Sequence, residues 1–170
     1  MLISPEYQAM QSELHAKGNY GTASLAYGAV ISRLVDLTGA ETLLDYGCGS
    51  MRNLLSVLKP EKDVQYLGYD PAIPEFSHKE PADIVTCIDV LEHIEPDLLD
   101  NVLDDLFMLV GTYGYFTVHT GPAVKTLSDG RNAHLIQQPS SWWLPKFLQR
   151  WDLVKFDETS HGFNVLLRAK

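Results

Sequence analysis

Apolar and polar positions follow two rhythms along this chain of 170 residues. The first stretch has helical spacing, from Pro5 to about Lys17, with Pro5 in the first turn. "GNYG", residues 18–21, interrupts it. A second helix is predicted over about 22–38, with Ala23, Ala26, Tyr27, Val30, Ile31, Leu34 and Val35 as its apolar stripe and Gly39 as the stop. Short apolar runs then alternate with helical patterns. "ETLLDY", "VQYLGYD", "DIVTCID" and "YGYFTVHT" read as strands. "SMRNLLSVL" reads as a helix ended by Pro60. "PDLLDNVLDDLFMLV" is the clearest helix. Its stripe is Leu98, Leu99, Val102, Leu103, Leu106 and Phe107, opposite a solvated face rich in aspartate.

An irregular stretch over 121–139 leads to a short helix over 140–149, which carries Trp142 and Trp143. "WDLVKFDE" and "FNVLLRAK" close the chain as an antiparallel pair about a turn at 160–162. This order predicts one α/β domain over 1–170, with 1–39 a helical lead-in. The sheet is doubly wound and mainly parallel, with helices on both faces. Ligands of such sheets bind beyond the carboxyl ends of the strands. That rule brings residues 47–50, Asp70, Asp89 and His119 to one edge.

Composition narrows the function. The formal net charge is −9, and lysines and arginines form no run. Long duplex nucleic acid is therefore disfavoured as a partner. A small molecule, a cationic group or a protein surface suits the charge better. No apolar run reaches the roughly 20 residues of a membrane helix, and the first residues lack the pattern of a secretory signal. The expectation is a cytoplasmic protein, monomeric or a small homo-oligomer. Cys48 and Cys87 are the only cysteines, and two buried reduced thiols are expected.

"LLDYGCGS" sets a carboxylate, Asp45, ahead of a glycine turn. Gly47 and Gly49 let the backbone bend sharply and approach a ligand. A dinucleotide fits poorly: Arg52 stands where a third glycine belongs, and Asp45 repels a pyrophosphate. S-adenosylmethionine has no phosphate and carries a sulfonium and an ammonium, so the same carboxylate attracts it. Asp70 follows at the next strand end, where a carboxylate accepts ribose hydroxyls. Asp89 ends the third strand. Taken singly, Asp45 and Asp70 also read as capping or turn residues.

"LLDYGCGS", "YLGYDPA" and "DIVTCIDVLEHIEP" together resemble the motifs of class I S-adenosylmethionine-dependent methyltransferases, over about residues 40–120. "DVLEHIEP" is similar to the branch with quinone O-methyltransferases and small-RNA 2′-O-methyltransferases. The resemblance implies a Rossmann-like methyltransferase fold with S-adenosylmethionine as cofactor and S-adenosylhomocysteine as product. By it, Asp45, Tyr46, Gly47, Cys48 and Gly49 line the methionine end. Asp70 and Pro71 lie at the ribose, and Ile88 and Asp89 border the methyl. Tyr20, in the lead-in, closes over the cofactor or packs between helices.

The sequence departs from that pattern twice. Met51 replaces a frequent glycine, which narrows the loop or shifts the helix behind it. Only residues 71–82 separate Asp70 from the next strand, where the family fits a helix and a strand. That edge strand is expected to be missing or reduced to a loop, leaving adenine on Ile73 or Phe76.

Methyl transfer from a sulfonium mainly requires alignment of a nucleophile, helped by a base. His93 is placed for the base in the resembling enzymes, beside Glu92; a structural loop is the competing reading. His134, Arg131, Asn132 and Trp142 are candidates for the acceptor site, Arg131 suiting a carboxylate or phosphate. One tryptophan is expected in the core. His15, His78 and His161 are expected at the surface. The acceptor is read as a small molecule methylated on oxygen or nitrogen, without a metal. One alternative is a metal-assisted small-RNA 2′-O-methyltransferase with Asp89, Glu92, His93 and His134 as ligands. Another is a non-catalytic cofactor-binding or partner-binding domain.

Overall fold

The computed structural model describes residues 1–18 and 21–170. Helix α1 spans Pro5–Ala16 and is capped by Ser4, whose hydroxyl accepts from the Tyr7 amide. A 3-10 turn over Ala23–Tyr27 leads into α2, Gly28–Thr38. Gly39 ends α2 at φ 68°, a left-handed position that suits glycine. Then follow β1 (Thr42–Tyr46), α3 (Asn53–Val57), β2 (Gln65–Tyr69), β3 (Ala82–Ile88), α4 (Leu99–Leu109) and β4 (Val110–His119). Helix α5 (Ser140–Leu148), β5 (Trp151–Glu158) and β6 (Gly162–Ala169) complete the chain.

The six strands form one sheet in the order β2-β1-β3-β4-β6-β5. β1 to β4 are mutually parallel, and β6 pairs antiparallel with both β4 and β5. Between β2 and β3 lies only a 3-10 turn, Pro74–Phe76, so β2 is the edge. Three prolines in residues 71–82 remove the donors that an added strand would need.

Side chains alternate across the sheet, so each central strand feeds two cores. Leu43 and Ile84 pack with Ile31 and Val35 of α2 and Leu54 of α3. Leu44, Val85, Cys87 and Phe116 pack with α4 and with Trp143 and Phe147 of α5. A third, separate cluster joins Tyr7 and Leu14 of α1 to Leu127 of the irregular 121–139 segment.

Some sequence expectations shift by a residue or a turn. α2 buries Ile31 and Val35, but Val30 is exposed. On α4, Leu109 takes the core place expected of Phe107, which is exposed and lies edge-on to Trp151. α3 begins three residues later than read, because Arg52 adopts a left-handed φ of 45° and delays the first turn. Met51 points to solvent and does not narrow the glycine loop.

Candidate functional site

The strand ends and α1 enclose a cavity of about 300 Å³. Its floor is the glycine turn. Gly47 sits at φ 81°, and a Cβ there would lie 2.4 Å from Val90 Cγ2. Gly49 sits at φ 65° beneath His15. The turn is pinned from below, with the Gly47 and Cys48 amides donating to the Tyr69 carbonyl. The loop thus presents bare backbone to the cavity.

Three carboxylates stand around it. Asp45 is buried and accepts from the Tyr66 and Thr86 hydroxyls, both at 2.9 Å. Burial pushes its carboxyl up to about 6 despite these bonds. Asp70 accepts from the Gly49 amide at 3.1 Å and the Ala72 amide at 3.0 Å, one on each oxygen. Asp89 ends β3 at φ 51°, with Oδ1 accepting from the Thr117 hydroxyl at 2.6 Å. A carboxylate has about four acceptor positions, so Asp45 and Asp70 each keep lone pairs for a ligand.

At the far end lie Glu92, His93 and His134. The Glu92 side chain is fully buried. Its Oε1 accepts from the His119 amide at 2.9 Å, and Oε2 has no hydrogen-bond partner among the described residues. Burial, then the nearby Asp89, raise this carboxyl well above the ordinary carboxylate range. His93 Nδ1 lies 2.8 Å from the Ala133 carbonyl, which can only accept, so Nδ1 carries the proton and Nε2 the lone pair. Burial, then His134, push this imidazole down to about 3, and it stays neutral. His134 is buried, with Nδ1 at 2.7 Å from the Gly121 carbonyl. The His93 and His134 rings meet edge to face at 4.6 Å. One donor atom from each of Glu92, His93 and His134 falls within 4.8 Å of the others. Asp89 is not part of this group, so the four-ligand set expected from the sequence reduces to three.

Other expectations are corrected. Cys48 is buried with its sulfur against Gly68, and does not line the cavity. Tyr46 reaches the cavity wall, but its ring packs on Tyr69 and its hydroxyl donates to Asp105. Pro71 and Ile88 line the cavity as read, whereas Ile73 and Phe76 do not, Phe76 lying under the Arg52 guanidinium. Arg131 is held by Asp129 at 2.7 Å on the exposed side of its turn. Asn132 clamps its own loop, bonding both backbone groups of Ala123 and the His134 amide. Trp142 is partly exposed on α5 against Lys146, away from the cavity, and Trp143 is the core tryptophan. Tyr20 lies outside the described residues.

The sequence reading missed the roof. Tyr7, Gln11 and His15 recur at four-residue spacing on α1 and line the cavity along its length. Tyr7 donates to the His93 carbonyl at 2.5 Å and accepts from Gln11 at 2.6 Å. His15, expected at the surface, lies 3.7 Å from Asp70, and burial lowers its basicity more than Asp70 raises it. α1 is tied to the body by Ser4, which donates twice to Glu95, and by Gln8 and Ser12, which donate to the Pro71 and Ala72 carbonyls. The four-residue spacing was visible in the sequence, but which partner it faced was not.

A family described as a methyltransferase domain matches residues 21–164. No curated protein was found to match the chain. Among solved structures, an O-methyltransferase family protein from Burkholderia thailandensis superposes with a TM-score of 0.69 at 14% identity. That match covers 99% of this chain but 63% of the Burkholderia protein, which is therefore substantially longer. The 1,6-didemethyltoxoflavin N1-methyltransferase of the same organism, solved with bound 1,6-didemethyltoxoflavin and S-adenosylhomocysteine, gives 0.64 at 16% identity, covering 100% of this chain and 92% of that one. The methyltransferase domain of the bacterial protein CtHen1 gives 0.62 at 16%, covering 88% and 100%. At such identities these likenesses concern the fold. Among the described residues, no helix is long and apolar enough to cross a membrane.

Proposed function

The chain belongs to the methyltransferase domain family, and from that premise we propose that it transfers a methyl group from S-adenosylmethionine to an oxygen or nitrogen of a small acceptor. One observation carries this reading: a glycine turn bare of side chains, ringed by Asp45, Asp70 and Asp89, shares its cavity with a neutral imidazole. The donor set fits a phosphate-free cation and disfavours a pyrophosphate. Asp70 would accept from the ribose hydroxyls through lone pairs its two amide bonds leave open. Asp45 and Asp89 would compensate the positive end, and Pro71 and Ala72 would flank the nucleoside.

Bound there, S-adenosylmethionine supplies a methyl group already activated by positive sulfur. The protein's work is then alignment and exclusion of water. His93 meets the incoming hydroxyl or amine as a neutral ring, with Nε2 accepting the acceptor's hydrogen. The Ala133 carbonyl holds Nδ1–H and so fixes the tautomer and the ring plane. His134 packs edge-on and limits rotation of His93. Glu92 accepts from the His119 amide and so fixes the 3-10 turn Leu91–His93, which carries His93, to the end of β4. α1 closes the cavity from above.

Calorimetry with S-adenosylhomocysteine, S-adenosylmethionine and NAD tests the assignment. Binding of both sulfur compounds without NAD is expected. Failure of both at millimolar concentration would refute it, and binding with no labelled methyl transferred to any metabolite pool would indicate a non-catalytic domain. A His93→Ala substitution is expected to abolish turnover while leaving S-adenosylhomocysteine binding intact.

A second reading is favoured by the orphaned Glu92 Oε2 beside two imidazole nitrogens. Glu92, His93 and His134 would hold a divalent cation such as Mn²⁺ or Co²⁺, leaving positions for vicinal hydroxyls of an acceptor such as an RNA end. Anomalous scattering after Mn²⁺ or Co²⁺ addition decides between an ion at these three residues and none.

A further inference from the structure

S-adenosylmethionine bound at Asp70 must also seat its adenine. Ile73 and Phe76, the residues the sequence offered, do not line the cavity, and β2 is the edge of the sheet. A purine is a flat, largely apolar plate, and it binds best where apolar groups cover its faces. We propose that the N-terminal segment supplies this cover: Leu2, together with Ala72, Val90, Ile94 and Val102, encloses the nucleobase. This rests on the methyltransferase reading of the same cavity.

The cavity lining has two unlike parts. His93, His134 and His119 form one, with ring contacts at 4.6 and 4.8 Å. Leu2, Val90 and Ile94 belong to the other. All three line the cavity, are half-buried, and pack against the core that holds Tyr46 and Val102, on the α4 side of the sheet. The reacting methyl must face His93, so the base falls to the apolar part. Covalent connectivity agrees. The base is bonded to the ribose that Asp70 would hold. Ala72, two residues on, lines the cavity and donates its amide to Asp70 at 3.0 Å. A place beside the ribose carboxylate suits the nucleobase better than an acceptor.

Leu2 is fixed from both sides. The Met1 carbonyl accepts from Asn101 Nδ2 of α4 at 3.1 Å. The Ser4 amide and hydroxyl donate to the two oxygens of Glu95, at 2.8 and 2.7 Å. Further along α1, the Ser12 hydroxyl donates to the Ala72 carbonyl at 2.8 Å. Residues 1–12 therefore bridge the loop after Asp70 to α4 and the turn before it. Leu2 is carried across the apolar part of the cavity by that bridge. The proline-rich loop 71–82 lacks the length and the amide donors to build such a cover itself.

NMR of the methyl-labelled protein saturated with S-adenosylhomocysteine tests this. Nuclear Overhauser contacts are expected between a Leu2 methyl, assigned by its loss in Leu2→Met, and the adenine ring protons. By calorimetry, Leu2→Ser should weaken S-adenosylhomocysteine binding about tenfold. Leu2→Met should keep most of the affinity, and Ile73→Ser should leave it unchanged. The contacts are measured on the unsubstituted side chain, so they separate direct cover of the base from a general loosening of α1 in Leu2→Ser. The inference is overturned if the saturated complex shows no contact between Leu2 and adenine, or if the contacts come from Ile73 or Phe76. It is equally overturned if Leu2→Ser binds as tightly as the unsubstituted protein. Binding without the Leu2 contacts removes this inference alone, whereas an unsubstituted protein that binds no S-adenosylhomocysteine removes the methyltransferase reading beneath it.

Discussion

Asp45 offers a thermodynamic signature that separates a cation site from a merely structural carboxylate. Its side chain is 2% exposed, and two hydroxyl donors do not offset the loss of water around its charge. The carboxyl consequently sits at about 6, against 3.8 for an unperturbed one. That displacement corresponds to about 3 kcal/mol of disfavoured ionisation. Between about pH 4 and pH 6 the native protein therefore binds more protons here than the unfolded chain. Its stability without ligand should fall as pH rises through that window, losing up to about 3 kcal/mol above it. A bound sulfonium and ammonium favour the ionised form, so S-adenosylmethionine binding below pH 6 should expel up to about one proton.

Calorimetry in two buffers of different ionisation enthalpy measures that proton directly. Affinity should rise steeply from pH 4.5 to pH 6 and then level. Asp45→Asn should remove the proton release, weaken binding at pH 7.5, and leave the ligand-free fold at pH 7.5 at least as stable as before. An affinity for S-adenosylmethionine that does not change from pH 4.5 to pH 7, or an Asp45→Asn protein that binds normally, would refute the reasoning.

The two glycines of the turn should respond differently. Gly47→Ala meets Val90 at 2.4 Å as well as a positive φ, and should cost about 2–4 kcal/mol in denaturant unfolding. Gly49→Ala has room, with His15 at 3.6 Å, and should cost only about 1–2 kcal/mol from its backbone angle. Adjacent tryptophans should diverge too: Trp143→Ala, in the core, should lose about 3–5 kcal/mol, and Trp142→Ala well under ~1 kcal/mol. Glu95→Ala removes both anchors of Ser4. Amide exchange across α1 should then accelerate by roughly tenfold or more, while amides of β1 keep their protection.

Reading the chain without coordinates succeeded where the cause was local. Four parallel strands, the lost edge strand after Asp70 and the C-terminal antiparallel pair all follow from apolar runs punctuated by proline and glycine. The glycine turn and its three carboxylates were equally legible, because strand ends of a parallel sheet share one rim. Left-handed backbone at Arg52 and Asp89 was not, since arginine rarely adopts it and an aspartate's occasional left-handed φ does not mark which aspartate takes it.

The amino-acid order by itself thus determined the sheet, its rim and the acidic, phosphate-averse character of that rim. Tertiary structure alone decided which polar side chains join it. Arg131, Asn132 and Trp142 looked suitable by type, yet each found a nearer partner within its own loop or helix. Lys125 and His15 looked unremarkable, yet the 121–139 segment and α1 bring both into the lining of the same cavity. Those two segments pack on each other through Tyr7, Leu14 and Leu127, far apart in sequence. No periodicity encodes such a contact, because it depends on where two irregular pieces of chain meet after the sheet has formed.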